Sequence, residues 1–182
     1  MLVNWDLLLS SEDIMIVSAT PMAFGDDDRK AHPDQSVNLA VFVAAAETAL
    51  YESRFGSPEY QHGETALSLA EPVFAAARPT SIRGVLLKLR YCHRHIRALA
   101  GASHGTRIAR TAPALLSATR KLARREPDAV ASLGEAASTC RAALDRPNTW
   151  VSQDHRAVLS LHLEMAVEGL AEIRPPQTRR PR

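Results

Sequence analysis

The sequence predicts an all-α protein, a set of antiparallel helical hairpins forming a five- or six-helix bundle. Apolar residues make up 46% of the chain but aromatic ones only 5%, and much of the remainder is Ala and Leu, which favours packed helices over sheets. Apolar positions recur at three- and four-residue steps through most segments, and Ser, Thr or Asp next to Pro repeatedly marks where such a segment starts. The 182 residues suffice for one domain with a substantial core.

Residues 1–33 show no sustained helical period and end in the polar run "GDDDRKAHPD". They are expected to form a flexible N-terminal arm with a short strand or turn near Ile14 to Val17. The helical domain then spans 34–173. Asp34 is a suitable N-cap for a first helix reaching about Phe55, with Val37, Val41, Ala44, Thr48, Tyr51 and Phe55 along its inner seam and Leu39, Phe42, Val43 and Leu50 on other faces, so that partners should flank it on two sides. A second helix, from Pro58 or Glu64 to Ala77, should be kinked or divided at Pro72, because a mid-helix proline removes one backbone bond and clashes one turn back. Ser81 caps a third helix running to about Ala100, whose apolar arc holds Ile82, Val85, Leu86, Leu89, Cys92, His93, Ile96 and Leu99. After the "GASHG" break, Thr111 and Pro113 open a fourth helix through Arg125, with Leu115, Thr119 and Leu122 inward. Pro127 opens a fifth with the seam Val130, Leu133, Ala137, Cys140 and Leu144. The last is expected from about Thr149 to Ile173, with Val158, Leu161, Met165 and Leu170 inward and Ser160, Glu164, Glu168 and Glu172 outward. Residues 174–182, "RPPQTRRPR", read as a disordered basic tail.

The formal net charge of +2 conceals segregation. Residues 1–77 carry −9, residues 78–125 carry twelve Lys or Arg and no carboxylate, and residues 126–182 carry −1. No apolar run approaches the roughly 20 residues that cross a bilayer, and the N-terminus lacks a basic leader, so no membrane contact and a cytoplasmic location are expected. Two cysteines, Cys92 and Cys140, are too few for a disulfide scaffold and fit a reducing compartment.

The stretch "ALSLAEPVFAAARPTSIRGVLLKLRYC" carries a resemblance. Ala70-Glu71, Pro79-Thr80-Ser81, Gly84 and Lys88-Leu89-Arg90, with "HPD" at His32 to Asp34 as the entrance to the first helix, resemble the core of a family of short, uncharacterised helical proteins of alphaproteobacteria. The similarity covers about residues 32–100, and Pro72 departs from its pattern. It implies a helix-turn-helix junction in which Pro79 ends one helix, Thr80 or Ser81 caps the next and Gly84 lets two backbones approach. It implies no activity.

Candidate chemistry is sparse. In "CHRH", Cys92 and His95 lie about 60° apart on a helix but His93 about 160° from His95, so the three do not converge on an ion, and no metal or cofactor is expected. No nucleophile elbow, HExxH, phosphate-binding glycine loop or CxxC occurs, so the chain is expected not to be an enzyme. Cys92, on the apolar arc, should be buried and inert despite the cations around it. His93 and His162 should be packed imidazoles, and Glu164 and Glu168 a solvated stripe. The residues left for recognition are Arg83, Arg90, Arg94 and Arg97 on the third helix and Arg110, Arg120, Lys121, Arg124 and Arg125 on the fourth. They suit either a protein partner, including a second copy or the chain's own acidic parts, or a nucleic acid, whose phosphates they would neutralise. Near-absence of interleaved aromatics, Tyr91 being alone in the block, weighs against nucleic acid. The expected function is a protein-interaction or regulatory module, with a nucleic-acid-binding regulator as the alternative.

Overall fold

A computed structural model describes residues 32–102, 107–146 and 151–173. The arm with its strand or turn, the interior of the "GASHG" break, the expected last-helix start at Thr149 and the basic tail lie outside the described residues. Among the described residues there are six helices and no strand: α1 Gln35–Glu52, α2 Pro58–Ala76, α3 Ile82–Ala102, α4 Arg107–Ala123, α5 Ala129–Leu144 and α6 Gln153–Ile173.

The helices follow from their caps. Asp34 accepts from Ser36 N at 2.9 Å to start α1, and Ser57 accepts from Tyr60 N at 3.2 Å to start α2, with Pro58 as its first residue. Gly56, at φ 79°, closes the turn between them in a backbone conformation that most side chains avoid. At the end of α4, Arg125 N reaches Leu122 O and Glu126 N reaches Lys121 O, each at 3.0 Å, while Arg125 itself sits at φ 58°. This is the double-bonded helix stop usually built on glycine.

α3 and α6 form an antiparallel central pair, shown by Cys92 against Leu159 O and Lys88 against His162. The hairpin α1–α2 packs on this pair from one side, α1 against α3 and α2 against α6, while α4 and α5 pack against each other and against α3 and α6 respectively. The core runs through Phe74, Val85, Leu89, Cys92, Ile96, Leu115, Leu122, Leu133, Cys140, Leu144, Leu159, Leu163 and Leu170.

Several expectations are corrected. Pro72 does not divide α2; it sits inside one continuous helix on its exposed side, where the backbone bond it removes can be replaced by water. Pro113 does not open α4 but lies in its interior, the helix beginning at Arg107. In α1 only Val37 of the expected seam is buried; Val41 is 62% and Tyr51 92% exposed, and Val43 and Ala46 are buried instead. The reason is contact with α2: Leu50 and Ala46 close on Gly63, which fixes the inward face of a helix apolar on every side. In α6 the buried row is Leu159, His162, Leu163, Ala166 and Leu170, with Val158, Leu161 and Met165 only half-buried, because the helix packs on α2, α3 and α5 together. In α5, Leu133, Ala137, Cys140 and Leu144 are buried as expected but Val130 is not.

The junction motif has a clear physical basis. Asp34, almost wholly buried, accepts from Thr80 N at 3.1 Å, Ser81 N at 2.9 Å and Ser81 Oγ at 2.6 Å, so one side chain caps α1 and ties down the start of α3. Ser81 Oγ in turn accepts from Gly84 N at 3.1 Å. What approaches Gly84 is the Asp34 side chain, not a second helix backbone: a Cβ there would overlap Asp34 Oδ2. The backbone approach occurs at Gly169 of α6, where an added Cβ would lie 2.5 Å from both Pro79 Cγ and Pro79 O.

Candidate functional site

Polar side chains gather where α1, α2, α3 and α6 meet. Lys88, Tyr91 and His95 recur at three- and four-residue steps on α3, a row adjoining its apolar arc and turned toward the other three helices. Lys88 is fully buried, and its ammonium donates to Phe74 O and to Ala75 O, the latter at 3.0 Å. A cation there satisfies the terminal carbonyls of α2 and faces the negative end of its dipole. Burial lowers its pKa to about 8.

Tyr91 OH donates to Glu71 Oε1 of α2 at 2.5 Å, and burial, then this contact, push the phenol well above its ordinary range. Its ring stands 4.2 Å from His95 and 4.4 Å from His162, centroid to centroid, and His162 packs 4.6 Å from Phe74. Burial, then the Lys88 and His95 charges, lower His162 to about 2, so it is a neutral imidazole. Its Nδ1 lies 3.5 Å from Lys88 Nζ, and its Nε2 has no hydrogen-bond partner among the described residues. The ring of His155 on α6 lies 5.3 Å from that of His95, and its buried Nε2 also has no partner among the described residues.

Glu47 of α1 completes the cluster. Arg94 Nη2 donates to its Oε1, and His95 Nε2 lies 3.6 Å from the same oxygen. Burial raises this carboxyl, but His95 and the Arg94 guanidinium outweigh it and hold it below its usual range. Glu47, Glu71 and His95 thus offer one ligand atom each, all within 4.8 Å of one another and all half-buried. They are the residues here that could hold a metal.

The expected recognition residues divide into two sets. Arg94 leaves the surface row for Glu47, Lys121 pairs with Asp128 at 2.5 Å, and Arg124 reaches Glu126 at 3.9 Å. Outside the predicted set, Arg78 bonds Glu168 and Glu172, each at 2.5 Å, and Arg141 lies 3.4 Å from Glu164. The acidic stripe of α6 therefore meets the chain's own arginines. Arg90 is half-buried and engaged within the protein. Arg83, Arg97, Arg110, Arg120 and Arg125 are exposed, and among the described residues none of them pairs with a carboxylate. Burial, then the guanidinium charges of Arg97 on α3 and Arg120 on α4, lower the pKa of His93.

Cys92 is fully buried and burial pushes its thiol far up, out of the range in which a thiolate forms at neutral pH. Comparison with protein families, with curated proteins and with solved structures returns no match.

Glu47, Glu71 and His155 are absent from the sequence-predicted set. A signal for the first two existed: each is a lone carboxylate in an otherwise apolar helical stretch, "VFVAAAETALY" and "LSLAEPVFAA". Their convergence on His95 required knowing that α1 lies parallel and α2 antiparallel to α3.

Proposed function

We propose that the protein is a non-catalytic, cytoplasmic interaction module that binds an acidic segment of a protein partner on the arginine face of α3 and α4. The observation that carries this reading is the exposure of Arg97 on α3 and Arg120 on α4, with no described carboxylate paired to either, on a surface where other arginines of the block have carboxylates of their own. Desolvating guanidinium groups that no described carboxylate neutralises is favourable only against opposite charge, and bidentate carboxylate contacts are what arginine forms best. A protein partner is preferred to a nucleic acid because Tyr91, the aromatic in the block, is buried and offers no stacking platform. Kinship with the short helical alphaproteobacterial proteins, on the junction residues around Asp34 and Gly84, is part of the same proposal.

Fluorescence anisotropy with a labelled polyglutamate peptide and a labelled DNA duplex tests it. The peptide is expected to bind, and Arg97→Glu with Arg120→Glu to weaken it by about tenfold or more, or about 1.4 kcal/mol. Failure of the wild-type chain to bind the peptide would refute the reading. Duplex binding whose log affinity falls with log salt by about 0.9 per neutralised phosphate would replace the protein partner by nucleic acid.

A further inference from the structure

We infer that Glu47, Glu71 and His95, with His155 as the fourth ligand, form a binding site for a divalent transition-metal ion of the zinc class. The three ligand atoms within 4.8 Å of one another come from α1, α2 and α3, and His155 adds α6, so four helices would each supply one ligand. Such a site is a recurrent use of a bundle interior. Bonds of about 2.0–2.2 Å to a tetrahedral ion place ligand atoms about 3.3–3.6 Å apart. His95 Nε2 and Glu47 Oε1, at 3.6 Å, already stand near that separation. Glu71 has to close in from within 4.8 Å, and His155, whose ring centroid stands 5.3 Å from that of His95, has to swing in by a side-chain rotation.

Two independent features point the same way. The guanidinium of Arg94 sits on Glu47 as a cation would, and with its side chain 37% exposed it has solvent to swing into. His155 Nε2 is buried beside the cluster with no hydrogen-bond partner among the described residues, a state costly for a ring nitrogen unless a partner arrives. Tyr91 OH on Glu71 Oε1 is the outer contact that would orient a ligating carboxylate. Two carboxylates and two imidazoles suit zinc, iron or manganese. Calcium would require six to eight oxygens, and magnesium prefers an octahedron of oxygens and water.

Visible absorption of the full chain titrated with Co(II) after chelator treatment, followed by displacement with Zn(II), tests this. A d–d band that saturates near one equivalent and is erased by zinc is expected. Glu47→Gln and His95→Ala should each weaken Co(II) by at least about 10–100-fold, the range known for outer-sphere partners alone. Arg94→Ala should tighten it, by removing the competing cation, and this opposite sign keeps the test decisive if a ligand variant fails to fold. Absence of the band in the wild-type chain would overturn the inference. Equal affinity in all variants would overturn it too, placing the metal on outlying histidines such as His62.

Discussion

The Asp34–Gly84 contact makes a quantitative prediction. Asp34→Ala removes the α1 cap, worth about 0.5–2 kcal/mol. It also leaves Thr80 N and the Ser81 N and Oγ without their partner, at about 1–3 kcal/mol for each group kept from water. Thr80 is exposed and can turn to solvent, so the cap and the two Ser81 groups sum to about 2.5–8 kcal/mol, or a fall in Tm of at least roughly 5 °C at 2–4 °C per kcal/mol. Gly84→Ala should cost a similar amount by another route, because its Cβ overlaps Asp34 Oδ2 and expels that side chain from its place. The two changes therefore act on one interaction and must not add. In the Asp34→Ala background the worst overlap is gone and Pro79 Cβ, at 3.0 Å, is the nearest remaining contact, so the second substitution should cost about 1 kcal/mol. Urea melts of the wild type, both single variants and the double variant, followed by circular dichroism, measure the cycle. Additivity within about 0.5 kcal/mol, or a neutral Gly84→Ala, would refute the shared-cap argument.

Acid should destabilise the protein through His162. Its folded pKa of about 2 lies below the unfolded 6.5, so its contribution is complete above pH 6.5 and is lost as pH falls below that value, by about 1.4 kcal/mol per unit. His162→Leu should flatten stability against pH between 6.5 and 4.5 by that slope, and urea midpoints at several pH values would expose an unchanged slope. A thiol reagent should label neither Cys92 nor Cys140 quickly in the native state, since both are buried and burial raises both thiols; rapid native labelling of Cys92 would show that the α3–α6 contact opens.

Where one periodic signal dominated, the sequence was a sufficient guide. Leu115, Thr119 and Leu122 on α4 are buried as their spacing predicts, as is most of the α5 seam. It failed where apolar residues surround a helix, as in α1, since Ala-rich faces are interchangeable until a neighbour such as Gly63 selects one. It failed at Pro72 and Pro113 because a proline's cost depends on whether the freed carbonyl meets water, which local sequence does not state. The arginine block was visible as charge. Its division between Arg94, committed to Glu47, and Arg97, left at the surface, depends on which helix lies beside α3. His95 drew attention for its neighbours Cys92 and His93, whereas its structural companions are Glu47, Glu71 and His155, between 24 and 60 positions away.

The polar interior bears on why those companions are there. Apolar residues of similar size at Glu47, Glu71 and His95 would pack without desolvating charge, and buried ionic groups commonly contribute less than such replacements. Lys88 has a structural return, the capped end of α2. Tyr91 and Arg94 satisfy the two carboxylates, yet they would not be needed for that task if the carboxylates were absent. The arrangement therefore has a stability cost that its own hydrogen bonds only offset. A ligand that binds the folded chain alone adds stability by mass action, about 2.7 kcal/mol at a hundredfold excess over Kd. Zinc should accordingly raise the Tm of the wild-type chain and leave that of Glu47→Gln unmoved; an equal rise in both would mean that the carboxylates serve packing and that the ion binds elsewhere.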